Sequence, residues 1–201
     1  MKRIRYYLAP RSPWTYLGHD RLLEIAQRHG AVIEPRPFNL TEIMPMAGGK
    51  QLKDRPPQRQ AYRLVELARW SRYLGLPLNL HPRHFPVDEN EAAKMIIAAT
   101  ESGGPDAGLR LTGAFLRAVW VEERDIADPS TMMALADECG LDGRRLYEAR
   151  IAATELFQRY TEDAKALQVF GAPWYEVDGE SFWGQDRLDF VERALAGSAQ
   201  G

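Results

Sequence analysis

The sequence predicts an α/β fold in which a βαβ unit at the start of the chain and a ββα unit at its end share one sheet, with a long helical segment inserted between them. Two observations carry this prediction. A strand-like run, "RIRYYLA" at residues 3–9, is followed by a helix-spaced apolar pattern and then by a second short strand, "AVIEPRPF", all by residue 38. Two strands with a helix between them in so short a span read as a parallel pair. At the other end, "WYEV" and "SFWG" flank Asp178-Gly179, with Glu180 closing the turn. Asp-Gly is a strong hairpin signal because both residues tolerate positive φ.

Each element has its own signal. Ser12-Pro13 opens the first helix, whose apolar positions Tyr16, Leu17, Leu22, Leu23, Ile25 and Ala26 keep helical spacing until Gly30 stops it. Pro35 and Pro37 mark the second strand as an edge or a strand end, since proline donates no ladder hydrogen bond. Pro56 and Pro57 precede "QRQAYRLVELARWSRYLG", a helix ending at Gly75. "ENEAAKMIIAAT" and "AGLRLTGAFLRAVWVEE" read as two more, and Asp128-Pro129 caps another through about Cys139. "GRRLYEARIAATELFQRYTEDAKALQ" makes one or two, and "QDRLDFVERALA" is the final helix, with Leu188, Val191 and Leu195 on one face. The proline- and glycine-rich joints at 44–57 and 75–86 are loops within one fold. The predicted division is a discontinuous sheet-bearing part at 1–42 and 169–201, with a helical insertion at 43–168.

The totals exclude several function classes. With 201 residues and a formal charge of −2, the chain carries no electrostatic footprint for nucleic acid or an anionic membrane. No segment approaches the ~20 apolar residues of a membrane span, and "MKRIRYYLAP" lacks the apolar run of a signal peptide. A single cysteine, Cys139, cannot form an internal disulfide, so a reducing, cytoplasmic location is expected. No metal is expected: His81 and His84 in "HPRHFP" are interrupted by prolines, and His19 and His29 are too far apart for one helical turn.

These residues resemble a known family. "SPWTYL" near the start, "RDIADP" in the middle and above all "VFGAPWYEVDGESFWGQDRL" near the end resemble the 2-hydroxychromene-2-carboxylate isomerases and the kappa-class glutathione transferases. The resemblance implies a DsbA-like thioredoxin fold, glutathione as cofactor and a homodimer. "SPWT" stands where thioredoxin-like oxidoreductases carry Cys-x-x-Cys, so Ser12 and Thr15 remove dithiol chemistry. The resemblance also gives Ser12 the catalytic role and Ala172-Pro173 a cis peptide whose backbone pairs with glutathione. It places further glutathione contacts at Gln185 and Asp186. Where the family commonly reads Lys-Ala-x-Gly-Asn, this chain has "IMPMAGGK", which aligns Pro45 with the lysine and Gly49 with the asparagine. Lys50 or Lys53 stands nearby to supply the charge.

The residues support these roles physically, each beside a plainer one. A thiol has a pKa of about 8.5, and the N-terminus of a helix, with its unpaired N–H groups, favours the thiolate. A hydroxyl at that point adds a hydrogen bond to sulfur; equally, Ser-Pro is a good N-cap, so capping and catalysis compete for the Ser12 oxygen. Thr15, one turn on, is expected to pack or back-bond. Gln185 and Asp186 start the last helix, where free N–H groups suit a γ-glutamyl carboxylate and Asp186 suits its ammonium; the plainer reading is that Asp186 caps the helix. On the helix of residues 58–74, Tyr62, Glu66, Arg69 and Tyr73 form one line, useful for an aromatic carboxylate, although a Glu66–Arg69 pair on a solvated face explains it as well. The expected activity is therefore glutathione-dependent isomerisation of an aromatic or chromene carboxylate by reversible thiol addition. Lys50, Tyr62 and Arg69 are candidate substrate contacts. The rivals are a kappa-type transferase and a non-catalytic thioredoxin-like binding module.

Overall fold

The fold is built around β1 (Arg3–Leu8), whose Tyr6, Tyr7 and Leu8 are all fully buried. A strand buried on both faces is a central strand, and in the computed structural model, which describes residues 2–197, β1 has neighbours on both sides. β2 (Val32–Pro37) pairs with it in parallel, with Ile4 opposite Ile33 and Leu8 opposite Pro37. β2 is an edge strand, which is why Pro35 and Pro37 are tolerated in it. On the other side β3 (Trp174–Val177) runs antiparallel to β1, and β4 (Glu180–Trp183) closes the order β2-β1-β3-β4. The turn joining β3 and β4 places Asp178 at φ 50° and Gly179 at φ 86°, the positive pair that an Asp-Gly hairpin requires.

Between β1 and β2 lies α1 (Pro13–His29), capped by Ser12 and ended by Gly30 in the left-handed conformation at φ 57°. Between β2 and β3 come α2 (Leu40–Ile43), α3 (Pro57–Leu74), α4 (Asn90–Gly103), α5 (Pro105–Trp120), α6 (Pro129–Glu138), α7 (Gly143–Ala149) and α8 (Thr154–Ala166). α9 (Leu188–Gly197) follows the hairpin after a 3-10 turn at Gln185–Arg187. α4 and α5 approach closely, since a Cβ on Gly108 would lie 2.0 Å from Thr100 Oγ1. One apolar cluster contains Ile4 and Ile33 of the sheet, Leu17 of α1, Ile96, Leu111 and Trp120 of the inserted helices, and Leu195 of α9. The helical segment therefore shares a core with the sheet. A smaller cluster of Tyr7, Phe38, Ile43, Ala164, Val169, Ala172 and Trp174 is separate from it.

The structure departs from the sequence expectations at element ends. α5 stops at Trp120, three residues short of the expected end, because Asn79 takes its last carbonyls: its N–H bonds the Trp120 carbonyl at 2.8 Å and its Nδ2 the Val121 carbonyl at 3.3 Å. The joint at 44–57 is not plain loop. Asn39 caps α2 through Glu42 N–H, and short 3-10 turns follow at Met44–Ala47 and Leu52–Asp54. Of the predicted 169–201 segment, residues 198–201 lie outside the described residues. Among the described residues no helix is long and apolar enough to cross a membrane.

Candidate active site

Ser12 occupies the N-cap of α1 with extended backbone, φ −74° and ψ 125°, and is almost fully buried. Its Oγ accepts the Thr15 N–H at 3.2 Å and donates to the Ala172 carbonyl at 3.4 Å. The second contact is long for an O–H···O bond, so the hydroxyl proton is only weakly engaged. Capping and donation thus use different parts of one hydroxyl, a lone pair and the proton, and they do not compete as the sequence suggested. Pro13 has no N–H, and the N–H of Trp14 has no partner among the described residues. The end of α1 keeps open donor capacity beside the serine. Thr15 is fully buried and its Oγ1 is unpaired, so it packs rather than back-bonds.

The Ala172-Pro173 peptide is cis, the isomer the family resemblance implied. Ala172 meets Ser12 through its carbonyl, and the Pro173 carbonyl accepts the Gly184 N–H at 3.0 Å. That bond ties the start of the hairpin to the turn that opens α9. Gly184 has φ 104°, and a Cβ there would lie 2.5 Å from Asp186 Oδ1. The Asp186 carboxylate therefore folds back over Gly184, partly exposed and paired with Arg187 at 3.3 Å; it makes no capping bond. The N–H groups of Gln185 and Asp186 have no partner among the described residues. The Gln185 side chain is buried against Gly18, and both its Oε1 and its carbonyl lie 3.4 Å from Arg21 Nη1. The structure thus joins Ser12, Ala172, Pro173, Gln185 and Asp186 in one connected region.

An aromatic group flanks the cis peptide. Phe170 packs edge-on to Trp183 at 4.7 Å and to Trp174 at 5.2 Å, and Trp183 is half exposed. Lys50, Tyr62 and Arg69 are not joined to Ser12 or Asp186 by any hydrogen bond or ion pair. Lys50 is exposed between the two 3-10 turns, Tyr62 is exposed on α3, and Arg69 pairs with Glu66.

Two features escaped sequence reasoning. The first is a strut under the serine. The Arg11 N–H donates to Glu89 Oε2 at 2.9 Å, and its Nε lies 3.1 Å from Glu89 Oε1. Its Nη1 reaches the Val87 carbonyl at 2.8 Å, its Nη2 reaches Thr41 Oγ1 at 2.7 Å, and Trp120 Nε1 donates to its carbonyl at 3.1 Å. Burial pushes the Glu89 carboxyl upward, and Arg11 opposes that shift. The partners lie 78 positions apart, a separation that leaves no local motif. The second feature is Arg63 on α3, half-buried over the rings of Phe85 and Trp120. It stands one position from Tyr62 in the sequence, off the line of Tyr62, Glu66, Arg69 and Tyr73 that helical spacing defines.

His19 has a structural partner on each ring nitrogen. His19 is buried, with Nε2 3.1 Å from the Leu109 carbonyl and Nδ1 3.4 Å from Tyr6 Oη. The carbonyl can only accept, so Nε2 carries the proton and Tyr6 donates to Nδ1. Burial lowers the His19 pKa and keeps the ring neutral.

A family model for the DSBA-like thioredoxin domain matches residues 3–196. A curated 2-hydroxychromene-2-carboxylate isomerase of Sphingobium xenophagum is 32% identical over 206 aligned residues, covering 96% of this chain and 98% of that protein. The chain belongs to the 2-hydroxychromene-2-carboxylate isomerase family, within the DSBA-like thioredoxin proteins. A solved structure of a 2-hydroxychromene-2-carboxylate isomerase superposes with a TM-score of 0.82 at 27% identity, covering 98% of this chain and 96% of the other. A human protein named glutathione S-transferase kappa 1 is 24% identical, covering 92% of this chain and 86% of its own length. In this isomerase-family chain the lone cysteine, Cys139, caps the C-terminus of α6, where burial pushes its thiol upward. Ser12 and Thr15 carry no sulfur, so the chain itself supplies no reactive dithiol.

Proposed function

We propose that the protein is a glutathione-dependent isomerase of a small aromatic acid of the hydroxychromene-carboxylate type, acting in a reducing compartment. The observation that carries this reading is the Ser12 hydroxyl: fixed by the Thr15 N–H, weakly bonded to Ala172, and set at the positive end of α1. Glutathione suits the residues present, because an anionic sulfur beside Ser12 would meet a weakly engaged hydroxyl proton and the open Trp14 N–H. When bound, glutathione supplies a thiolate able to add reversibly to a conjugated carbon, so that isomerisation needs no net redox change.

The chain's own residues do the remaining work. Ser12 donates a hydrogen bond that holds negative charge on sulfur and so lowers the thiol's pKa, keeping its own proton. The backbone of Ala172, held by the cis peptide, offers a strand-like edge for the peptide part of the cofactor. The open N–H groups of Gln185 and Asp186 suit the γ-glutamyl carboxylate, and the Asp186 carboxylate suits its ammonium group. The Arg11–Glu89 strut keeps Ser12 in register with Ala172.

Calorimetric titration with glutathione on the wild type, Ser12→Ala and Asp186→Ala tests the reading. Wild type is expected to bind, Asp186→Ala to bind at least tenfold more weakly, and Ser12→Ala to bind while losing turnover of a hydroxychromene carboxylate. Absence of glutathione binding by the wild type would sink the proposal and leave a non-catalytic binding module. The relation to the human kappa protein favours one rival, irreversible conjugation. Product analysis separates them: an isomer with free glutathione recovered, or a stable thioether.

A further inference from the structure

Most arginines in the interior of this fold have an acid to answer them. Arg11 has Glu89, Arg36 has Glu34 and Asp163, and Arg150 has Glu91. Arg63 does not. It is half-buried, and among the described residues no carboxylate pairs with it and no hydrogen bond engages it. Its guanidinium carbon lies 5.2 Å from the Phe85 ring centre and 5.7 Å from that of Trp120, and the two rings are 4.8 Å apart. Stacking on ring faces stabilises the cation where it is partly shielded from water, and it leaves the N–H fork without a protein acceptor.

A second arginine adds to the excess. Arg55 is fixed by Nε on the Lys50 carbonyl at 2.9 Å and by Nη2 on Met44 Sδ at 3.7 Å, while Gln60 Nε2 holds its carbonyl at 2.8 Å. It also lacks an acid partner among the described residues. Burial, reinforced by the charge of Arg55, pushes the Arg63 guanidinium down to about 10. Burial and the charge of Arg59 likewise lower Arg55. Two half-buried guanidinium groups, near enough for the charge of Arg55 to act on Arg63 and both without an acid partner among the described residues, form a site that an anion would complete.

The position of this pair gives it a use. The ring under Arg63 is Trp120, whose Nε1 donates to the carbonyl of Arg11, the residue before Ser12. One aromatic ring therefore separates the cationic pair from the serine loop. We propose that Arg63 and Arg55 form a carboxylate subsite, walled by Phe85 and Trp120, that holds the carboxylate of an aromatic acid presented to Ser12. This rests on the isomerase reading above for the identity of the acid, though not for the existence of the subsite. A carboxylate could reach the pair from two sources, the aromatic acid or the glycyl end of glutathione, and the two are separable.

The experiment is calorimetric titration of the intact protein and of Arg63→Gln, Arg63→Lys and Arg55→Gln with four probes. These are 2-hydroxycinnamate, 2-allylphenol as its carboxylate-free counterpart, glutathione, and γ-glutamylcysteine. The expected result is that Arg63→Gln weakens 2-hydroxycinnamate at least tenfold, with Arg63→Lys between it and wild type, while 2-allylphenol and both thiols change less than twofold. If instead glutathione weakens tenfold and γ-glutamylcysteine does not, the subsite stands and its occupant is the glycyl carboxylate. A wild type that binds 2-hydroxycinnamate through Arg63 but does not bind glutathione would keep the subsite and overturn the cofactor reading. Affinities for 2-hydroxycinnamate and glutathione within twofold of wild type in all folded variants, or no binding of either carboxylate probe by wild type, would overturn the subsite. Circular dichroism melts identify the folded variants, and Arg55→Gln carries the test if Arg63→Gln does not fold.

Discussion

Replacing Arg11 by methionine tests whether the serine loop depends on its strut. The Glu89 side chain is 4% exposed and the Arg11 side chain 23%, so the pair is close to the buried limit. Methionine keeps much of the apolar stem but removes the charge and the bonds to Val87 and Thr41. Breaking a buried pair from one side costs about 3–5 kcal/mol, mostly because the remaining charge is stranded. The loss is expected to depend on pH in a defined direction. The folded Glu89 carboxyl already titrates above its unfolded value. Below about pH 4.3 both states are protonated and this group costs nothing; above it the unfolded chain ionises first and stability falls until the folded carboxyl ionises too. Without Arg11 the folded value rises further, so the erosion continues to higher pH. The destabilisation should therefore be largest near neutrality and shrink toward acid. Urea unfolding followed by circular dichroism at several pH values measures it, and the double variant Arg11→Met/Glu89→Gln should recover roughly half of the neutral-pH loss or more. A loss under about 1 kcal/mol at pH 7, or one that does not shrink toward acid, would refute the reasoning.

Other consequences are equally direct. Ser12→Ala should cost about 1 kcal/mol in stability through the lost cap, whereas Ser12→Asn should keep the cap and still abolish turnover, which separates the two roles by melting temperature and product assay. Gly18→Ala brings a methyl 2.8 Å from Gln185 Cβ and 3.0 Å from Tyr175 Oη, so an overpacking cost of about 1–3 kcal/mol should outweigh the helical gain of alanine. The variant should also weaken glutathione binding by displacing Gln185. His19 is kept neutral by burial, so its contribution to stability is fully present above about pH 6.5 and is lost at up to about 1.4 kcal/mol per pH unit as the unfolded chain takes up a proton below it. His19→Gln should flatten that slope in urea titrations between pH 5 and 7.

What was legible in the sequence was what local chemistry enforces. Ser12-Pro13, Gly30, Asp128-Pro129 and Asp178-Gly179 each fix a cap or turn by their own stereochemistry, and each lies where the sequence put it. The edge position of β2 followed from its prolines. Illegible features were those decided by partners far along the chain. α5 ends at Trp120 because Asn79 reaches it, and Glu89 is drawn into the interior by Arg11. The α3 line of Tyr62 and Arg69 was a reading of helical spacing alone. Spacing tells which residues share a face, but which arginine on the helix is left without an acid depends on the loops that pack beside it. Arg69 has Glu66 one turn away, whereas Arg63 meets only rings and another arginine.

The Ser12 hydroxyl shows why a residue in the old cysteine position can serve without being a nucleophile. A hydroxyl has two lone pairs and one proton. Here a lone pair is committed to the Thr15 N–H, which fixes where the oxygen is. The proton rests on the Ala172 carbonyl at 3.4 Å, a bond long enough to be exchanged for a stronger, charge-assisted one at little cost. The acceptor it would leave belongs to the cis peptide that lines the proposed cofactor edge. Redirecting the Ser12 hydroxyl's hydrogen bond from that carbonyl to a sulfur would therefore free the Ala172 backbone in the same step that it stabilises a thiolate. Cofactor binding and thiol activation would then be coupled through a single hydroxyl. Removing it should accordingly raise the pH at which bound thiol ionises, a shift readable by thiolate absorbance in the Ser12→Ala complex and absent if the hydroxyl serves only as a cap.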